Sequence, residues 1–216
     1  MVFTPSEAHA KRPMAMNREV FLPFQHSPDV PRVLTRVRST LLSASLQGIR
    51  RMGWEERYFR ALPKELHEEL QMLTAGVWLP LALAVSHYTA CDNMGLTTAE
   101  IETMGKEVSL HTQKTFVGTV ASVAMHAGVT PWTVLSHAQR VAGRVFDGAD
   151  QCIYKLGPKD ALVILVGCPL MRIPYFRTAF RGYYAALLGL FATTIYSRES
   201  LESRGEDSVS LRFSWV

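Results

Sequence analysis

Residues 152–166 read CIYKLGPKDALVILV, and this stretch decides the fold. Two apolar runs, 152–156 and 161–166, flank Gly157-Pro158-Lys159-Asp160, a spacing that predicts strand, turn, strand. The second run is apolar without interruption, as expected of a strand covered on both faces. Downstream, Ile173, Phe176, Phe180, Tyr183, Tyr184, Leu187, Leu188 and Phe191 recur at three, four and seven, which predicts an amphipathic helix over 172–190. Two more strands are expected at 192–198 and 208–215. The latter alternates through Val209, Leu211, Phe213 and Trp215, and the polar turn between them, 199–207, carries charges that blunt sheet edges.

Upstream of the hairpin the period is helical. Thr97 and Glu100 form a capping box. Ile101, Met104, Val108, His111, Thr115 and Thr119 then share one stripe of a helix expected to run to His126, with Gly128 ending it. Thr130-Pro131 gives an N-cap followed by proline at the first helical position. The next helix is expected through Trp132, Leu135, Val141 and Val145, ending near Asp147-Gly148. The fold class is therefore α+β: N-terminal helices followed by an α-α-β-β-α-β-β unit with an antiparallel sheet.

The N-terminal part divides in two. Residues 1–31 hold five of the eleven prolines, so this segment is expected to be an extended arm with little to bury, dispensable for the core. Helices are expected over 33–48, 54–61, 63–73 and 77–93. The resulting organisation is an arm over 1–31, a helical region packed on the core over 32–94, and an α+β ligand-binding domain over 95–216.

Composition restricts the function classes. The 216 residues are 48% hydrophobic and 19% charged, which excludes a disordered tail, a coiled coil and a collagen-like fibre. Residues 1–60 carry ten basic and five acidic side chains, but no basic run exceeds two, so these charges are read as a solvated helix face and not a nucleic-acid site. The most apolar segment, 75–91, contains Pro80, Ser86, His87 and Thr89 and falls short of a span. No secretory signal opens the chain, so a cytoplasmic location is expected. Cys91, Cys152 and Cys168 are too scattered for a disulfide framework or a zinc ribbon.

Catalytic motifs are lacking. There is no GxSxG elbow, no GxGxxG, no phosphate-binding loop and no HxxxH or HExxH pair among the seven histidines. No catalytic residue is nominated and the chain is not expected to be an enzyme. The aromatic pattern is more informative. Phe116, Trp132, Phe176, Phe180, Tyr183 and Tyr184 fall on or near apolar helix faces, with Ala185, Ala186, Gly182 and Gly189 interspersed, and small residues among large ones can leave a pocket. Those six are the candidate ligand-binding residues, with the pocket expected between helix 172–190, the sheet it crosses and the helices containing Phe116 and Trp132.

Pro174-Tyr175-Phe176-Arg177, the run from Arg181 to Gly189, Arg198-Glu199, and Leu211-Arg212-Phe213-Ser214-Trp215 carry a resemblance. Over about residues 95–216 the chain resembles the end of the 4-vinyl reductase domain, part of a wider group that includes haem-NO-binding and trafficking-complex folds. It is also similar to a family of myxobacterial proteins in which a PYFR…G helix precedes a terminal LRFSW-like strand. In aromatic-sensing members the resemblance implies a small hydrophobic effector and a structural zinc held by three cysteines and a glutamate. Those ligand positions fall here at Ile173, Glu199, Glu202 and Ser210, so only Glu199 is retained. Cys168 nearby is one thiol and does not rebuild the site. No metal is expected. Nor is haem or any other cofactor, since no Tyr-x-Ser-x-Arg clamp or placed histidine occurs. The expected function is a non-catalytic sensor or regulatory module for a small apolar or aromatic molecule, working with a protein partner or as a homodimer. The alternative is a protein-interaction or assembly module with a filled core.

Overall fold

A computed structural model describes residues 18–27, 30–74, 76–116, 130–200 and 205–216, with backbone only over 113–116. In chain order the elements are strand β1 (Glu19–Leu22), strand β2 (Arg36–Arg38), helices α1 (Ser39–Arg51), α2 (Glu55–Ala61) and α3 (His67–Gln71), strand β3 (Trp78–Pro80), and helices α4 (Leu81–Asp92) and α5 (Thr98–Phe116). There follow α6 (Pro131–Ser136), α7 (Ala138–Val145), β4 (Phe146–Asp147), β5 (Asp150–Gly157), β6 (Asp160–Val166), α8 (Pro174–Leu188), β7 (Ile195–Glu199) and β8 (Val209–Trp215). Short 3₁₀ turns precede α3 and α8.

The antiparallel sheet and the helix inserted into it are as the sequence predicts. Strand order is β1-β5-β6-β8-β7. Register is continuous across the centre, with Ile153 facing Val163 and Val163 facing Leu211. Ala161, Val163 and Leu165 of β6 join the main core beneath α8, while Leu162, Ile164 and Val166 form a second apolar layer with Phe24, Tyr154 and Leu156 on the other face. That accounts for the unbroken apolar run. Arg212 reaches across from β8 to Asp160 at the hairpin, a bidentate pair.

Several boundaries differ from expectation for identifiable reasons. Residues 19–22, inside the expected arm, form a strand: β1 adds a fifth strand antiparallel to β5. Phe21 packs on Trp132 with ring centroids 4.8 Å apart, and Gln139 donates to the Pro23 carbonyl. The prolines flank this strand without interrupting it. A chain beginning at Pro31 is therefore expected to be less stable by about 2 kcal/mol, the burial of one large aromatic side chain, lowering its melting temperature by about 4–8 °C. A melting curve unchanged by the truncation would restore the arm reading.

The helix expected from residue 33 begins at Ser39, because residues 36–38 instead pair with β3 and β4 in a small three-stranded sheet. The helix expected over 77–93 loses its first turn to β3, and Pro80 fixes the entry to α4. The helix expected from Trp132 to Val145 breaks at His137 into α6 and α7, then turns into β4. The stretch from 117 to His126 and Gly128 lies outside the described residues. Several described basic residues of the N-terminal part tie segments together, where the sequence predicts only a solvated helix face. Arg32 and Arg36 both bond Asp147, Arg38 lies 4.2 Å over the Trp78 ring, and Arg57 caps the Met94 carbonyl. Among the described residues no helix is long and apolar enough to cross a membrane.

Two contacts position everything that follows. At the crossing of α5 and α8, a Cβ built on Gly105 would lie 2.0 Å from the Ala179 carbonyl oxygen, and one on Gly182 would lie 2.4 Å from the Glu102 carbonyl oxygen. The helices therefore touch backbone to backbone, an approach only glycine permits. Arg181 and Glu102 pair beside the crossing. Behind it, His87 of α4 is fully buried between Tyr58 and Ser45, with the Tyr58 hydroxyl 2.7 Å from Nδ1 and the Ser45 hydroxyl 2.9 Å from Nε2. Both ring nitrogens are thereby occupied, and burial pushes the imidazolium pKa down to about 3.

Candidate functional site

Aromatic residues on α8 recur on one face because 175, 176, 180 and 184 are spaced at helical intervals. That face does not pack flush against its surroundings. Between α8, α5, α6, α7 and the edge of β5 and β6 lies a cavity of about 210 Å3, and its lining is overwhelmingly apolar. Phe176, Phe180 and Tyr184 supply one wall, Met104 and Val108 of α5 a second, Leu135 and Val141 of α6 and α7 a third, and Leu165 with Gln151 the floor. The close crossing at Gly105 and Gly182 fixes two of these walls relative to each other.

Polar groups in the lining are few and mostly satisfied. The Tyr184 hydroxyl donates to Gln151 Oε1 at 2.8 Å, and Thr112 donates to the Tyr183 hydroxyl at 3.3 Å. Burial raises the pKa of Tyr175, Tyr183 and Tyr184 above that of an exposed phenol, so these side chains are neutral hydroxyls at any physiological pH. His137, Arg140 and Arg144 lie at the rim on the exposed side. The described lining holds no carboxylate and no cysteine.

Four of the six residues nominated from sequence line this cavity: Phe176, Phe180, Tyr183 and Tyr184. Trp132 does not. Its ring packs between Phe21 and Trp215, and its Nε1 donates to the Pro158 carbonyl at 2.7 Å, so it fastens α6 to the far end of the hairpin. Phe116 ends α5, and its side chain lies outside the described residues. Sequence reasoning missed Gln151, the floor residue. The available signal was a large amide, flanked by Asp150, at the mouth of an apolar strand.

The resemblance drawn from the sequence would place zinc ligands at residues 173, 199, 202 and 210. Ile173 precedes α8, Glu199 pairs with Arg177 at 3.5 Å, Ser210 is buried on β8, and Glu202 lies outside the described residues. Among the described residues no group of three or more His, Cys, Asp or Glu side chains could hold a metal ion.

No family model and no curated protein sequence matches the chain. Solved structures do. An H-NOX protein from K. algicida, in its Fe(II) unliganded form and carrying an alanine-to-glycine mutation, superposes with a TM-score of 0.62 at 8% identity over 83% of this chain and 96% of its own. An H-NOX structure described as probing the function of haem distortion gives 0.60 at 12%, over 82% and 94%. An oxygen-binding H-NOX domain related to soluble guanylate cyclases, in complex with oxygen, gives 0.57 at 11%, over 82% and 94%. At these identities the likeness is one of architecture: this chain has an H-NOX-like fold.

Proposed function

We propose that the protein is a non-catalytic sensor or regulatory module that takes a small apolar or aromatic molecule into the cavity beneath α8 and passes the event to a partner protein or a second copy. The observation that carries this reading is the 210 Å3 apolar cavity itself. An apolar cavity of roughly 150 Å3 suffices for one benzene ring, whereas drug-sized ligands occupy roughly 300–1,000 Å3. The guest is accordingly a molecule of one substituted ring or similar bulk. The resemblance of residues 181–189, 198–199 and 211–213 to the 4-vinyl reductase domain, whose aromatic-sensing members take a small hydrophobic effector, supports the same reading.

Haem, which the names of the structural neighbours carry, does not fit. The cavity is smaller than a drug-sized site, and a macrocycle would have to part α5 from α8 where their backbones touch at Gly105 and Gly182. The tyrosines in the described lining are held neutral by burial, and the one histidine among those described residues, His137, is exposed at the rim.

An assembly module would show a filled core and a contiguous exposed apolar patch. The described core instead leaves an apolar cavity beneath α8. Toluene is expected to raise the melting temperature of the full chain saturably, the stabilisation reaching about 2.7 kcal/mol at one hundred times its dissociation constant. Val141→Trp, which fills the cavity from α7, is expected to fold and to lose that response. An absence of saturable stabilisation in the unmodified protein would sink the reading.

A further inference from the structure

Helix α7 brings two stripes to the cavity side by side. Ala138, Val141, Ala142 and Val145 line it, while His137, Arg140 and Arg144, one turn apart, are exposed at its rim. Arg140 and Arg144 are the only Arg, Lys, Asp or Glu side chains in the described lining. Carboxylates on neighbouring segments are engaged elsewhere. Glu102 and Glu107 of α5 pair with Arg181 and Arg51, Asp147 just beyond α7 pairs with both Arg32 and Arg36, and Asp150 is buried against His26. Arg140 makes no ion pair among the described residues. Arg38 adds a further cation at this helix, its Nε donating to the Arg144 carbonyl at 3.4 Å. The mouth thus presents positive charge directly beside an apolar interior.

We infer that the cavity takes an amphiphilic carboxylate, a single ring or short alkyl chain seated beneath α8 with its carboxylate at the mouth against Arg140. This rests on the sensor reading above and narrows it. Desolvation opposes burying a carboxylate among apolar side chains, so the charge does not follow the ring inward. At the mouth water still solvates it, and the planar guanidinium offers two parallel N–H donors that match its two oxygens. The clustered arginines also raise the local concentration of anions and speed their entry. A cationic amphiphile of the same bulk would meet repulsion there, and a neutral one would gain from the interior alone.

The experiment compares 3-phenylpropanoate with 3-phenylpropanamide, which has nearly the same shape and no charge, each titrated into the full chain by calorimetry. The carboxylate is expected to bind about five-fold more tightly, the worth of an ion pair at an exposed site. That preference is expected to shrink as the ionic strength rises from about 0.05 to about 0.5 M. Arg140→Gln is expected to remove most of it. Arg60→Gln lowers the net charge equally but lies on α2, outside the described lining, and is expected to keep it. Equal affinities in the unmodified protein, or tighter binding of the amide, would overturn the carboxylate assignment and leave the apolar cavity reading standing. A preference that survives Arg140→Gln, or that both variants lose alike, would overturn it too. If neither probe binds, toluene separates the readings: stabilisation by toluene sinks this assignment alone, and its absence sinks both. The comparison in the unmodified protein, with its salt dependence, decides the matter even if Arg140→Gln does not fold.

Discussion

Gly105→Ala is expected to destabilise the protein by about 3 kcal/mol or more, the upper end of what an added methylene costs in a packed core. The new Cβ meets the carbonyl oxygen of Ala179 at 2.0 Å, its carbonyl carbon at 2.8 Å and the amide nitrogen of Tyr183 at 2.9 Å. All three are backbone atoms of α8, so no side-chain rotation relieves the overlap and the helices must separate. Separation loosens the Arg181–Glu102 pair and the wall formed by Met104 and Val108. For a chain of this length the melting temperature should fall by about 6–12 °C. Because the same crossing frames the cavity, toluene should stabilise the variant less than the unmodified chain. Gly48→Ala is the contrasting control: its Cβ meets the tip of Met104, a flexible side chain that can turn aside. Equal melting of the unmodified chain and Gly105→Ala would mean that the crossing is looser than described.

Acid should unfold the protein through His87. The buried ring has a pKa of about 3 in the folded state, against about 6.5 when exposed. Above pH 6.5 neither state binds the proton and His87 contributes nothing to the pH dependence. As the pH falls below 6.5, the unfolded chain takes up a proton that the folded chain refuses, so stability declines by about 1.4 kcal/mol per pH unit until the folded ring titrates near pH 3. Carboxylates titrate over part of the same range. The contribution of His87 is therefore the difference between the urea midpoints of the unmodified protein and of His87→Gln, followed from pH 7 to pH 4. The two curves are expected to converge as the pH falls. Parallel curves would show that the ring is protonated inside the fold.

The C-terminal half was legible because its signals are local. The hairpin at Gly157–Asp160, the alternation of Val209 to Trp215 and the aromatic stripe of α8 each declare themselves within a few residues, and the capping box at Thr97 forms as its spacing requires. What escaped were elements defined by partners distant in sequence. Residues 36–38 become a strand only because β3 and β4 lie alongside, and β1 is a strand only because β5 has an open edge. Four cavity residues were found because aromatic spacing marks a helix face. Trp132 was misplaced because amphipathic spacing says which side of a helix is buried and not against what. Gln151 was missed because its place in the cavity floor, bonded to the Tyr184 hydroxyl, is a property of the assembled core.

The three cysteines sit in different parts of the molecule: Cys91 on α4 among the helices, Cys152 on β5 in the sheet, and Cys168 on the loop that leads from β6 to α8. All are buried, and burial pushes the Cys91 thiol well above its ordinary range and the Cys168 thiol up to about 12. A thiol that is both sheltered and protonated reacts with an alkylating reagent only when its surroundings open. The chain thus carries three internal clocks. Mass-resolved labelling over time would report how often the helical layer, the sheet and the loop each breathe, and whether a guest in the cavity slows one of them or all three.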